Sequence, residues 1–103
     1  MEAEKIQTVA FEIILNSDAR TLVHEGFKNM RNGEYQKAKL QLEEANAPLV
    51  KAHQAQAKLL QEYASGEKIE MEIIMVHAQD HLMTTMTLRE VALEMLAMYQ
   101  KLA

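Results

Sequence analysis

Two histidines and an aspartate lie close together in the last third of the chain, in a segment that is otherwise largely apolar. His77 and His81 are four residues apart, and Asp80 follows His77 by three residues. On an α-helix, residues four apart share one face, and Asp80 lies about 60° round the helix from His77. Because an imidazole changes its charge near neutral pH, this cluster is a candidate functional site.

Metal binding is one chemistry that this spacing allows, since two histidines at i and i+4 can bind one metal ion. A metal-binding bundle or metalloenzyme using His77, Asp80 and His81 is therefore one hypothesis. Ala78 follows His77 where a His-Glu-x-x-His hydrolase has glutamate, and the Glu-x-x-His pairs of a di-iron bundle do not occur. No Ser/His/Asp triad is apparent, and a non-catalytic helical adaptor is a further hypothesis.

The composition is that of one helical domain spanning residues 1–103. Hydrophobic residues make up 49% of the chain and aromatic residues 5%, with three glycines and one proline. Few helix breakers and abundant Ala, Leu, Glu, Gln, Lys and Met are typical of long helices, so we expect an all-α fold. The chain has no cysteine, which excludes disulfides, thiolate metal ligands and thiol catalysis.

The charge pattern argues against a nucleic-acid partner. The formal net charge is −4, and the basic residues are scattered, with no cluster to follow a phosphate backbone. The N-terminus, Met1-Glu2-Ala3-Glu4, is acidic and no apolar signal region follows it. No apolar run approaches the ~18 residues of a membrane span. We expect a soluble, cytoplasmic protein.

The spacing of apolar residues predicts three helices, over about residues 4–31, 34–64 and 70–102. Asn32-Gly33 and Ser65-Gly66-Glu67-Lys68 are the predicted connections, since glycine in the left-handed conformation commonly ends a helix. Asn16-Ser17-Asp18 predicts a polar notch in the first helix, and Pro48 predicts a bend at Asn46-Ala47-Pro48 in the second, or a restart there. Two short connections make this an antiparallel up-down-up bundle.

The third predicted helix is apolar on two adjoining sides. Its first side carries Ile74, Ala78, Leu88, Ala92, Leu96 and Tyr99. Its second side carries Ile73, Val76, Met83, Thr87, Val91 and Met98, and Asp80 lies among them. A helix in a three-helix monomer needs only one apolar stripe, so the second side predicts a partner, most simply another copy of the chain.

The histidine segment reads Val76-His77-Ala78-Gln79-Asp80-His81-Leu82-Met83-Thr84-Thr85. Six further segments, together with this one, carry a resemblance to a known family: Phe11-Glu12-Ile13-Ile14, Ser17-Asp18-Ala19-Arg20, Gly33-Glu34-Tyr35, Leu42-Glu43-Glu44-Ala45, Ala52-His53-Gln54-Ala55-Gln56 and Ala64-Ser65-Gly66-Glu67. Over nearly its whole length the chain resembles the enzyme IIA component of the lactose/cellobiose (N,N′-diacetylchitobiose) class of the bacterial sugar phosphotransferase system. Pro48 is a departure from the pattern of that family.

The resemblance implies a homotrimer of three-helix subunits that carries a phosphoryl group. The family takes this group from the phosphohistidine of the carrier protein HPr and passes it to a cysteine of enzyme IIB, which phosphorylates a disaccharide at the membrane permease, enzyme IIC. His77 corresponds to the phosphorylated histidine, which reacts through Nε2. Asp80 corresponds to the aspartate that gathers on the threefold axis and binds a divalent cation, for which we expect Mg²⁺.

Other side chains are weighed against these assignments. His81, one turn after His77, can donate a hydrogen bond to a phosphoryl oxygen, as can Gln79 or Thr84 from a neighbouring position. We expect His53 to be a hydrogen-bonded core residue and His24 to lie on a solvated face. Within the family, Ala78 favours the cellobiose/diacetylchitobiose branch over the lactose branch, which has glycine there.

Overall fold

The computed structural model describes residues 5–6, 8–10, 13, 18–69 and 72–103, and the regular structure among them is helical throughout. The helices are α1 (Asp18–Arg31), α2 (Tyr35–Glu44), α3 (Asn46–Ala64) and α4 (Ile73–Leu102). The described residues between 5 and 13 are also helical. The all-α prediction is confirmed. Of the predicted notch, Asn16 and Ser17 lie outside the described residues.

The helices form an elongated bundle measuring 52 × 21 × 18 Å. At one end Tyr35, at the start of α2, stacks on Tyr99 of α4 with ring centroids 5.9 Å apart. Further along α2, the Leu42 carbonyl accepts a hydrogen bond from Arg89 of α4, so α2 runs antiparallel to α4. A short turn joins α1 to α2, and α1 therefore runs parallel to α4. This arrangement confirms the predicted up-down-up bundle.

Glycine ends both α1 and α3 as predicted. Gly33 has a φ of 78° and donates its backbone N–H to the Met30 carbonyl, while the N–H of Glu34 bonds to the Asn29 carbonyl. Gly66, with a φ of 100°, makes the equivalent arrangement after α3. This pair of bonds is the Schellman motif, which uses a left-handed residue to satisfy the last carbonyls of a helix.

The structure has two helices, α2 and α3, where the sequence predicts one helix with a bend. The interruption lies at Ala45, slightly before the predicted bend, and Ala45 keeps a helical backbone with φ −64° and ψ −20°. Pro48 has no N–H to donate to the Glu44 carbonyl, and the next bond, from Leu49 to Ala45, is long at 3.4 Å. The chain therefore continues in one direction through a local loss of hydrogen bonding.

The last helix begins later than the sequence predicts. α4 starts at Ile73, and Glu72 before it is extended, with φ −98° and ψ 143°. The predicted start at residue 70 lies outside the described residues. At a rise of about 1.5 Å per residue, the 30 residues of α4 run for most of the length of the bundle.

The two apolar sides of α4 differ in burial in the way that the sequence predicts. On the first side, Ala78, Ala92 and Leu96 are buried in the core. The second side is exposed in the single chain: Ile73 89%, Val76 50%, Met83 46%, Val91 47% and Met98 64%. We call these five residues the open face of α4. None of the described helices has an apolar stretch long enough to cross a membrane.

Candidate functional site

His77 lies in the second turn of α4, and its side chain is exposed. The centroid of its ring is 6.4 Å from that of His81, and the two ring planes are inclined by 37°. The regular helix on both sides fixes this spacing, because residues four apart stack along one face. The structure thus brings the two predicted imidazoles together and leaves His77 open to approach by another protein.

His81 is half-buried and lies closer to the bundle core than His77. Its backbone carbonyl accepts a hydrogen bond from the Thr85 hydroxyl at 2.7 Å, and Thr85 is itself almost fully buried. Bonding to the carbonyl four residues earlier satisfies a buried hydroxyl without another side chain. This part of α4 is therefore packed on the side of His81 and open on the side of His77.

Thr84 connects the histidine face of α4 to α1. Its hydroxyl oxygen accepts a hydrogen bond from Nη2 of Arg20 at 2.9 Å. The same hydroxyl lies 2.7 Å from the Asp80 carbonyl and 3.2 Å from the His81 carbonyl, to either of which it can donate its proton. The sequence predicts that Thr84 can donate a hydrogen bond to a phosphoryl oxygen, and it predicts no role for Arg20. The presence of Arg20 in a segment characteristic of the family was the one available signal.

Gln79 is not beside His77 in a single subunit. Two residues along an α-helix turn the side chain by about 200°, so Gln79 lies on nearly the opposite side of α4 from His77. Its side chain is half-buried. A contact between Gln79 and a group held on His77 therefore requires a second copy of the chain.

Asp80 is exposed and lies among the residues of the open face of α4, about 60° round the helix from His77. Among the described residues, no side chain forms a hydrogen bond or ion pair with its carboxylate. Nor does the described part of the chain contain three His, Asp or Glu side chains grouped closely enough to hold a metal ion. The metal site proposed from His77, Asp80 and His81 is thus not assembled within one subunit.

The other two histidines lie away from this site. His24 is exposed on α1, as predicted, with its ring centroid 6.5 Å from that of Phe27. The prediction that His53 is a core residue is wrong: it is exposed and lines a groove of about 350 Å³ between α3 and α4. Ala52 occupies the buried position on α3, and one further residue turns the side chain by about 100°, towards solvent.

Comparison with known proteins places this geometry in a family. The family model described as "PTS system, Lactose/Cellobiose specific IIA subunit" matches residues 8–100. Among curated relatives, the lichenan-specific phosphotransferase enzyme IIA component of Bacillus subtilis is 39% identical over 100 residues, covering 96% of this chain and 91% of the relative.

Solved structures agree with the sequence comparison over almost the whole chain. The crystal structure of PtcA from S. mutans is 65% identical with a TM-score of 0.94, covering 97% of this chain and 99% of that one. The IIA(Chitobiose) chain in solution structures of its HPr complex from Escherichia coli is 32% identical with a TM-score of 0.75, covering 99% of this chain and 98% of that one. These similarities extend through α4 and the segment that carries His77.

Proposed function

The chain belongs to the lactose/cellobiose-specific IIA family of the sugar phosphotransferase system, and we propose that it carries its phosphoryl group on Nε2 of His77. As a IIA component it is a phosphotransferase carrier. The observation that carries the assignment to His77 is its exposure on a regular helix, with the imidazole of His81 one turn away. A group that must meet two successive proteins has to be reachable from solvent.

The chemistry proposed for His77 is exchange of one N–P bond for another. The donor imidazole leaves phosphorus with the electron pair of its bond, and the lone pair of a neutral His77 forms the new bond. No electron is gained or lost, and no strong base is required. Positioning and stabilisation of the phosphoryl charge supply most of the catalysis in reactions of this class.

We propose HPr as the donor and a cysteine of enzyme IIB as the acceptor, with enzyme IIC served indirectly at the membrane. The similar IIA(Chitobiose) chain was solved in complex with HPr, which supports the first of these assignments. The acceptor follows from the relay that the family performs. In both steps the partner would approach the same exposed edge of α4, because His77 has to face each partner in turn.

Self-association into a homotrimer is proposed from the open face of α4. Five large apolar side chains on one helix face remain exposed in the single chain, and burying them would remove unfavourable apolar surface from water. Asp80 lies beside this face, so a threefold axis along it would bring three carboxylates together. The trimer also offers a position from which Gln79 could approach a neighbouring His77.

Asp80 suits a divalent cation in such an assembly. Its carboxylate is exposed and forms no bond with the described side chains, so its oxygens remain available as ligands. Hard cations such as Mg²⁺ take oxygen ligands, and a cation would offset the mutual repulsion of three axial carboxylates. We propose Asp80 as the residue that holds this cation, in a structural role.

For the sugar, we favour a cellobiose or diacetylchitobiose type over lactose, in line with Ala78. Ala78 is completely buried in the bundle core, so it would act on packing and does not itself meet a partner. The relatives carry different sugar names, lichenan for one and chitobiose for another. Measuring which enzyme IIB accepts the phosphoryl group is the test of this assignment.

Incubation with phosphoenolpyruvate, enzyme I and HPr tests the phosphoryl site. We expect one acid-labile phosphate on His77 in the wild-type chain and none in His77→Gln, with His24→Gln as the matched control. Phosphate on another residue, or none at all, would contradict the assignment. A non-catalytic adaptor or a metal hydrolase would give the latter result.

A further inference from the structure

We propose that Arg20 supplies the positive charge that stabilises the phosphoryl group on His77, and that Thr84 is the positioning residue that holds Arg20 in place. This inference rests on the proposed function of His77. Arg20 comes from α1, on a different helix from both histidines, and its guanidinium crosses to the histidine face of α4.

The hydrogen bonds of Thr84 show why the charge has to come from Arg20. A threonine hydroxyl has one proton to donate and can accept as well. Here it accepts from Nη2 of Arg20 at 2.9 Å, while backbone carbonyls of α4 lie 2.7 and 3.2 Å away to take its proton. The hydroxyl is therefore committed in both directions and has no proton left for a phosphoryl oxygen.

The guanidinium of Arg20 has N–H donors that form no hydrogen bond with the described residues. A guanidinium carries five N–H groups in a fixed fork that matches phosphate oxygens. Its bond to Thr84 is the one that it forms with the described residues, and Nε, although buried, has no hydrogen-bond partner among them. Buried donors are normally satisfied, so an unsatisfied one on the guanidinium that bonds to Thr84, two turns of α4 from His77, indicates a place where an anion is bound for part of the working cycle.

The position of Thr84 puts this charge within reach of the phosphoryl group. Thr84 follows His77 by seven residues, so the two residues are about 20° apart around the axis of α4 and about 10 Å apart along it. His81 lies between them on the same face. At this range and partial exposure, an interaction between a guanidinium and a phosphoryl dianion changes an equilibrium by about threefold to tenfold.

The basic residues of α4 itself cannot do this. The chain has a formal net charge of −4, and Asp80 adds a carboxylate close to His77. Along the 30 residues of α4 the basic residues are Arg89 and Lys101. Arg89 bonds to the Leu42 carbonyl between α4 and α2, and Lys101 is in the last turn, so neither basic residue of α4 serves His77, whereas Arg20 bonds to Thr84 on the histidine face.

The test compares Arg20→Gln, Arg20→Lys and Thr84→Val with Arg31→Gln, which removes one exposed positive charge from the other end of α1. Each variant is equilibrated with phospho-HPr, and the phosphorylated fraction is followed by ³¹P NMR at low and high salt. Circular dichroism and urea unfolding are measured alongside, so that loss of structure is separated from loss of charge.

We expect Arg20→Gln to lower the phosphorylation equilibrium constant by about threefold to tenfold at low salt, with the difference shrinking at high salt. Arg20→Lys should recover most of the loss, Thr84→Val should show part of it, and Arg31→Gln should match the wild type. Equal values for Arg20→Gln and Arg31→Gln would overturn the proposal. So would equal losses in Arg20→Gln and Arg20→Lys that follow lowered stability. A wild-type chain that takes no phosphate on His77 is the separate result that ends the proposed function itself.

Discussion

The imidazole rings of His77 and His81 lie one turn apart on α4, with centroids separated by 6.4 Å, yet they differ in exposure. His77 is open to solvent, whereas His81 is half-buried. One ring is thus available to incoming proteins while the other is constrained by the bundle. This difference suits a pair in which His77 forms the covalent bond and His81 stabilises the group that His77 carries.

Replacing His81 by glutamine is expected to slow phosphorylation of His77 by about tenfold without abolishing it, since one charge-assisted hydrogen bond contributes about that much. Rapid-quench measurement of phosphoryl transfer from phospho-HPr provides the rate. His24→Gln, an exposed histidine on α1, is the control and should leave the rate unchanged. An unchanged rate in His81→Gln would show that His81 has only a packing role.

Met83→Glu is expected to separate the subunits. Met83 is 46% exposed on the open face of α4, and three copies of a charge buried at an interface would lower the association constant by about 100-fold. Leu60→Glu is the matched control, because Leu60 is an exposed leucine, 59% exposed, on a different helix, α3. Sedimentation equilibrium measures both. If Leu60→Glu dissociates the assembly and Met83→Glu does not, the interface lies elsewhere.

Asp80→Leu is expected to leave the trimer folded and to remove its response to divalent cations. Three apolar side chains on the axis would replace three carboxylates that repel each other. In the wild type, chelation of the metal should lower the thermal midpoint of the trimer, and Mg²⁺ should restore it. The variant should show neither effect. Loss of the trimer in Asp80→Leu at micromolar concentration would count against an axial position for this residue.

Arg89→Met is expected to destabilise the fold by about 1–2 kcal/mol. The substitution keeps an unbranched apolar stem and removes the donor to the Leu42 carbonyl, which now bonds to Arg89 Nε at 2.8 Å next to the interruption at Ala45. Urea unfolding at a fixed protein concentration measures the change, because association contributes to apparent stability. Arg31→Met, at an exposed position, should change stability by less than about 0.5 kcal/mol. Equal values for the two variants would show that the bond to Leu42 contributes nothing measurable.

The features that depend on local sequence were predicted well. Gly33 and Gly66 end their helices because a left-handed backbone is accessible to glycine, and both adopt it. The spacing of apolar residues predicts a second apolar side on α4 that the single chain leaves exposed, since a helix in a small bundle can bury only one face. The pairing of His77 with His81 needed nothing beyond the four-residue spacing and the helix that carries them.

The features that depend on register between helices were not predicted. Arg20 meets Thr84 because core packing sets how far α1 is shifted along α4, and no local pattern in either segment encodes that shift. By contrast, Pro48 predicts a bend or restart at Asn46-Ala47-Pro48, and the structure places the interruption slightly earlier, at Ala45. His53 was misplaced by a single residue, enough on a helix to exchange the core for solvent.

A chase experiment follows the phosphoryl group through both transfers that the proposal requires. The chain is phosphorylated by phospho-HPr, separated from it, and mixed with enzyme IIB, and ³¹P NMR then records the signals of phosphohistidine and phosphocysteine. We expect the phosphohistidine signal of the wild type to disappear as phosphocysteine forms, and His77→Gln to give neither signal. Phosphocysteine formation that persists with His77→Gln, or a wild-type phosphohistidine that enzyme IIB leaves untouched, would contradict the assignment of His77 as the carrier.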